Sequence, residues 1–371
     1  MKTILITGGH LAPALAIIDD ILSSDHKNNT KIIFVGRKYG SESQDNYSLE
    51  YKEINKRKIE FVYLPAGRMT RLFNLKSFLN TLRIPIGFFY AWQILDHYQP
   101  DLIFSFGGYL GLPIVMAGFL RKIPIYIHEQ TLSPGLANRL SGRLAKKVFV
   151  SFPQTQSFFS PKKTLVTGNP IRKETFKTIK MPFKITKNLP VIYVTGGTLG
   201  SHSINEHIKK ILPDLLKDYI VIHQTGNVKE YNDLNGLQML RKKLPLDLQS
   251  RYYLREHFSS QEIGYVYDRA DLVVGRAGAN TFFELIALEK PAVLIPLPWA
   301  ANQEQQKQAE ILAKEKVTEI FSQFNSSEEL LKLIKNMLAN LKIYQGNFHK
   351  LKLFYRQDAS QKIIREIFSE N

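Results

Sequence analysis

Short apolar runs that end in glycine turns and pass straight into helical spacing recur along this chain. The clearest copy covers residues 271–288. Leu272-Val273-Val274-Gly275 has no polar alternation, so it reads as a strand buried on both faces of a parallel sheet. Arg276-Ala277-Gly278-Ala279-Asn280 follows, and residues 281–288 carry apolar positions at helical spacing. Two glycines let the backbone turn tightly and let a ligand approach closely. The first turn of the following helix leaves N–H groups and a positive dipole end, which suit a phosphate. Glu284 stands one turn further in, where a carboxylate can accept from both hydroxyls of a ribose. A plain strand–turn–helix carries the same punctuation, so the motif alone leaves both readings open.

The first half repeats the pattern. Candidate strands are residues 2–7, 31–35, 59–64, 101–106, 123–128 and 147–152, with helical segments such as 12–23 and 135–144 between them. That alternation implies an α/β protein with a parallel sheet, and ligands in such sheets sit at the carboxyl ends of the strands. Polar residues do gather there. Thr7-Gly8-Gly9-His10 follows the first strand, and Pro13 is tolerated in the first turn of the next helix. Gly107, Gly108 and Tyr109 follow the fourth strand. His128-Glu129-Gln130-Thr131 follow the fifth, with Asn138 beyond. A GxGxxG fingerprint is absent and the second strand ends in Val35-Gly36-Arg37 without an acid, which argues against a dinucleotide-binding dehydrogenase. His10 is placed to act as a base near neutral pH, or merely to hold its turn.

The second half restarts the alternation after a lysine-rich, aperiodic connection at 173–190 with Arg172 at its mouth. A strand at 191–195 leads into Gly196-Gly197-Thr198-Leu199-Gly200-Ser201, whose successive N–H groups resemble a phosphate nest. Further strands are expected at 219–223, 251–255 and 291–296. A Gln-rich helix start lies at 303–309 and a closing amphipathic helix at 358–368.

Charge narrows the partners. Lys and Arg outnumber acids 50 to 33, for a net charge of +17, which favours an anionic partner. The basic residues are dispersed and no aromatic–basic RNA signature appears, so nucleic acid is not expected. Between Arg68 and Trp92, cations (Arg68, Arg71, Lys76, Arg83) alternate with large apolar side chains and no acid intervenes. Such a mixture suits an amphipathic surface that dips into anionic lipid headgroups. No apolar run of membrane-spanning length, signal peptide or cysteine occurs, in keeping with a reducing cytoplasm. There is also no D-x-D triplet for a metal-bridged diphosphate. No metal ligand or cofactor is therefore assigned, and a divalent cation is expected at most to stimulate.

In order, TGGHLAPALA (7–16), GGYLGLP (107–113), IHEQ (127–130), GNPIR (168–172), GGTLGS (196–201), HQTG (223–226), DRADLVVGRAGANTFFE (268–284) and the Gln-rich helix start resemble the MurG family of peptidoglycan glycosyltransferases. The resemblance implies a GT-B fold, two Rossmann-like domains with parallel sheets facing across a cleft and a C-terminal helix returning to the first. The corresponding segments are an acceptor and membrane domain at 1–168, a linker at 169–190, a UDP-GlcNAc domain at 191–350 and the returning helix at 351–371. It implies an inverting transfer of N-acetylglucosamine from UDP-GlcNAc to the C4 hydroxyl of N-acetylmuramic acid in lipid I. This takes place at the cytoplasmic face of the cell membrane, with anionic lipids as further partners. His10 would be the base, with Glu129 in reserve. Thr7, Gly8, Gly9, Thr131, Arg172, Thr198, Ser259, Gly278, Ala279, Asn280, Thr281, Glu284, Glu304 and Gln305 would contact the donor, and Gly107, Gly108, Tyr109 and Asn138 the acceptor. Leu5 and Ile6 stand where the family usually has glycines. Thr131 and Gln308 replace its usual asparagines and Asn280 its usual leucine. Alternatives are a related transferase acting on another lipid, such as diacylglycerol, or a non-catalytic nucleotide-sugar-binding subunit.

Overall fold

A computed structural model describes residues 1–39, 47–65, 84–186, 188–197, 199–227 and 230–369. It divides into two compact units. One comprises Met1–Arg172 with Arg356–Asn371, the other Lys173–Tyr355.

The first unit is built on β1 (Lys2–Thr7), β2 (Thr30–Gly36), β3 (Glu60–Tyr63), β4 (Leu102–Ser105), β5 (Ile125–Glu129), β6 (Lys147–Val150) and β7 (Thr164–Val166). Its helices are α1 (Leu11–Leu22), α2 (Leu49–Lys56), α3 (Ile84–Tyr98), α4 (Gly108–Leu120) and α5 (Leu136–Leu144). The sheet order is β3-β2-β1-β4-β5-β6-β7 and every pairing is parallel. Apolar clusters cover both faces, which is why the strands read as unbroken apolar runs. The C-terminal helix, Ala359–Phe368, belongs to this unit. Its Ile363, Ile364 and Ile367 are buried in one cluster with Ile17, Ile18 and Ile21 of α1.

The second unit contains β8 (Val191–Thr195), α6 (His202–Asp218), β9 (Ile220–Gln224), α7 (Asp233–Lys243), β10 (Tyr252–Arg255), α8 (Ser260–Arg269), β11 (Leu272–Gly275), α9 (Ala279–Leu288), β12 (Ala292–Leu294), α10 (Glu304–Lys314), β13 (Thr318–Ile320) and α11 (Ser327–Ala339). The strands run in the order β10-β9-β8-β11-β12-β13, again all parallel. Side-chain caps set several helix starts: Ser201 Oγ accepts from Ile204 N–H, and Ser326 and Glu329 form a capping box. The segment 173–190, read as a connection, lies along this unit. The Phe183 ring stacks on Tyr253 at 4.2 Å, and Lys180 N–H donates to the Gln261 carbonyl at 3.0 Å.

Each sheet reverses its winding once, between β1 and β4 in the first unit and between β8 and β11 in the second. The carboxyl ends flanking such a reversal open a crevice that no connection covers, and it is where α/β sheets take ligands. The expected fold class is the one observed. Both sets of glycine turns fall at these two places.

Candidate functional site

In the first unit the turn after β1 meets the turn after β4 backbone to backbone. A Cβ on Gly9 would stand 2.3 Å from the Gly107 carbonyl oxygen, so only glycine fits. Gly107 has φ +83° and a Cβ there would strike the Asn138 side chain at 2.6 Å. Thr7 Oγ1 donates to Ser105 Oγ at 2.9 Å beneath them. Buried Glu129 ends β5. Its Oε1 accepts from Thr131 N–H at 2.9 Å and from Thr131 Oγ1 at 2.7 Å, while its Oε2 accepts from Asn138 Nδ2 at 2.7 Å. Three donors on one carboxylate fix its orientation. Gly8, Gly108 and Tyr109 sit in the same two turns, Tyr109 half-buried in the first turn of α4.

His10 occupies the position before α1, and its Nδ1 lies 2.6 Å from Gln130 Nε2. Burial pulls its pKa below the ordinary histidine value and the Glu129 charge offsets part of that, so the ring is neutral at neutral pH. Gln130 Oε1 is buried without a hydrogen-bond partner among the described residues. Turned over, the amide would accept from Nδ1–H and leave the Nε2 lone pair of His10 to take a proton. Behind Gly8 stands a residue the sequence did not single out. A Cβ on Gly8 would lie 3.1 Å from Glu50 Oε1, and burial pushes the Glu50 carboxyl up.

In the second unit the turns after β8, β9 and β11 close on one another. Gly200 (φ +88°) and Gly226 (φ +71°) are so close that a Cβ on Gly226 would stand 2.2 Å from the Gly200 Cα. Among the described residues, Gly197 (φ +82°) and Gly278 have nothing within 4 Å of a Cβ beyond their chain neighbours. Gln224 ties the set together. Its Nε2 donates to Thr195 Oγ1 and to the Gly197 carbonyl, both at 3.3 Å, and its Oε1 accepts from Phe258 N–H at 3.0 Å. Arg276, between the glycines of the β11 turn, reaches to the β8 turn. Its Nη2 donates to Ser201 Oγ at 2.7 Å, Ser203 Oγ at 2.9 Å and Gln323 Oε1 at 3.0 Å, and its Nη1 to the Ile295 carbonyl at 2.9 Å. These partners are all neutral. Burial lowers its pKa to about 10, so the guanidinium stays charged at neutral pH and its positive potential bears on both turns.

The first turn of α9 holds Ala279, Asn280 and Thr281, whose N–H groups begin the helix. Asn280 Oδ1 is buried without a partner among the described residues. Glu284 follows one turn on, and Tyr267 OH donates to its Oε2 at 2.8 Å. Ser259 precedes α8, where Glu262 Oε2 accepts from both its N–H (3.0 Å) and its hydroxyl (2.8 Å). The Ser259 carbonyl accepts from Ile263 N–H at 3.0 Å, so its backbone is already engaged within the helix start. Glu304 opens α10 and accepts from Gln308 Nε2 at 2.8 Å; Gln305 Oε1 accepts from Leu297 N–H at 2.9 Å, fixing the loop before the helix. Arg172 is half-exposed at the end of the first unit. Thr198 and residues 68–83 lie outside the described residues.

Sequence comparison decides the family. Residues 7–150 match the glycosyltransferase family 28 N-terminal domain and residues 191–363 its C-terminal domain. The chain belongs to glycosyltransferase family 28. A relative from Lachnoclostridium phytofermentans is named UDP-N-acetylglucosamine–N-acetylmuramyl-(pentapeptide) pyrophosphoryl-undecaprenol N-acetylglucosamine transferase. It is 32% identical over 374 residues, covering 98% of both chains. A relative of that name from Clostridium perfringens is 32% identical over 94% of both chains. The crystal structure of Acinetobacter baumannii MurG superposes with a TM-score of 0.70 at 23% identity, covering 99% of both chains. The UDP-GlcNAc 2-epimerase of Neisseria meningitidis, bound to UDP-GlcNAc, gives 0.64 at 13% identity over the whole of both chains. As a family 28 member the chain is a glycosyltransferase, and both likenesses to solved structures concern the fold.

Proposed function

We propose that the chain transfers N-acetylglucosamine from UDP-GlcNAc to the C4 hydroxyl of N-acetylmuramic acid in undecaprenyl-pyrophosphoryl-N-acetylmuramoyl-pentapeptide (lipid I), giving lipid II. The observation that carries this reading is the 98% mutual coverage with a relative of that name, with glycine turns at the switch point of each sheet. In the second unit, the N–H groups of the Gly196–Ser201 turn and of the start of α9 would face a diphosphate, with Arg276 charging both turns from behind. Glu284, steadied by Tyr267, accepts from the ribose hydroxyls. Glu304 and Gln305 read sugar hydroxyls. In the first unit, neutral His10 takes the proton of the C4 hydroxyl as that oxygen attacks the anomeric carbon in line and UDP departs. Glu129 holds Thr131 and Asn138 and stabilises the imidazolium that forms.

The first unit's surface supports a membrane-associated reading. Ile86, Phe89 and Tyr90 lie on one face of α3, and Met116, Phe119 and Leu120 on one face of α4, which packs beside it; all six are exposed. Arg121 and Lys122 directly follow α4. No helix among the described residues is long and apolar enough to cross a membrane. On this reading the exposed apolar face would rest peripherally on the cytoplasmic side of the membrane, where anionic headgroups meet cations.

The deciding experiment is transfer of radiolabel from UDP-GlcNAc to lipid I, with UDP-GalNAc as competitor. Labelled lipid II is expected. Label on diacylglycerol instead, or UDP release with no lipid product, would refute the acceptor assignment.

A further inference from the structure

We propose that His202, Glu206 and Asp233 form a binding site for one divalent transition-metal ion, of the zinc type, that braces α6 against α7. His202 and Glu206 are four residues apart on α6 and share a face. Asp233 is the first residue of α7 and faces them, so that one ligand atom from each of the three lies within 4.8 Å of the others. None of the residues assigned above to donor or acceptor is part of this group.

The surroundings are arranged as outer-shell partners arrange a metal site. Asn205 Nδ2 donates to Asp233 Oδ2 at 2.7 Å and so directs Oδ1 at the histidine. Asn205 is itself fixed by its 3.1 Å bond to the Thr225 carbonyl and by His223 Nε2 at 3.0 Å. The Tyr231 ring lies flat on the His202 imidazole, with centroids 3.8 Å apart and planes at 10°, which sets the ring orientation. His202 Nδ1 and Asp233 Oδ1 are 2.7 Å apart. Zinc–ligand bonds of about 2.0–2.2 Å place tetrahedral ligand atoms somewhat farther apart than that. Metal entry therefore asks this pair to part slightly and Glu206 to close in, with water completing the shell. The His202 side chain is 37% exposed and that of Asp233 only 7%, so the site is anchored inside and open to solution. One neutral imidazole and two carboxylates balance a dication, and the nitrogen favours zinc over magnesium or calcium. Lys209 Nζ, 3.0 Å from Glu206 Oε1, is the cation a metal would displace, and its flexible stem can swing into solvent.

The test is calorimetric titration of untagged, full-length protein with zinc chloride, with magnesium chloride as control. We expect uptake of one zinc per chain in the micromolar range and no magnesium heat. His202→Ala and Glu206→Gln should each weaken zinc binding roughly tenfold or more, whereas Lys209→Ala should tighten it. Zinc should raise the melting temperature of the wild type and leave that of His202→Ala unchanged. Glu206→Gln alters a half-exposed side chain and guards against loss of binding through misfolding. Absence of a stoichiometric site in the wild type, undiminished zinc binding in both variants, or equal affinity for magnesium would overturn the proposal.

Discussion

Three histidines carry much of the chemistry at the level of single residues. His10 is held neutral by burial, so its pKa lies below the ordinary 6.5. The pH profile of kcat/KM should stay flat down to about pH 6.5 and fall only below it, and His10→Ala should lower kcat by about 10²–10⁴ with circular dichroism unchanged. Gln130→Ala, which frees the ring to turn, should depress kcat more than it raises KM. His128 and His223 are buried with pKa values drawn down to about 3 by desolvation. The unfolded chain binds their protons near pH 6.5 and the folded chain only near 3, so the stability they contribute is full above that window and is lost as pH falls through it. Each should cost about 2 kcal/mol at pH 5, visible as a falling melting temperature between pH 7 and 5. Glu284→Ala should weaken UDP binding by roughly 1.5–3 kcal/mol, the usual worth of hydrogen bonds to a charge; unchanged affinity in calorimetry would remove its ribose role. The sequence names His10 and Glu284 because each follows a glycine turn. It does not show the Gln130 contact to His10, the Tyr267 contact to Glu284 or Arg276's reach, because those rest on contacts between segments whose separation along the chain carries no period.

Among the elements, the glycine turns of the second unit are tightly packed, Gly200 against Gly226 and the Thr225 carbonyl. Gly200→Ala forces a side chain into a left-handed backbone and into the Thr225 carbonyl, 2.2 Å from the new Cβ. It should destabilise the second unit by at least about 1–3 kcal/mol and raise the Kd for UDP, read by thermal unfolding with and without nucleotide. Arg276→Met keeps the stem but removes the donors to Ser201, Ser203, Gln323 and the Ile295 carbonyl, and it should weaken UDP binding more than Arg276→Lys does. Strands buried on both faces were legible as apolar runs, and glycine turns as punctuation between runs and helical spacing. The three-residue edge strands Thr164–Val166 and Thr318–Ile320 were not, since so short a stretch shows no periodicity and its identity comes from the neighbour it pairs with. Helix α2 escaped for another reason. Its polar sequence buries Glu50 and Glu53, against the usual pattern of an amphipathic face.

For the whole molecule, the net charge of +17 and the exposed apolar faces of α3 and α4 predict binding to phosphatidylglycerol vesicles that weakens as salt rises. Phe89→Asp with Phe119→Asp should release the protein from vesicles while leaving UDP affinity intact; retained sedimentation with lipid would refute that face. The first unit joins Met1–Arg172 to Arg356–Asn371, where Ile363, Ile364 and Ile367 complete the core around α1. That arrangement fixes an order of birth. Residues 173–355 form an uninterrupted unit that can close as soon as it leaves the ribosome. The unit made first must wait for the final helix, on the order of ten to forty seconds at about 5–20 residues per second. The apolar face around α1 stays open to chaperones until residues 359–368 are made, so a nascent chain stalled before residue 356 would carry a folded second unit and a first unit still lacking that helix.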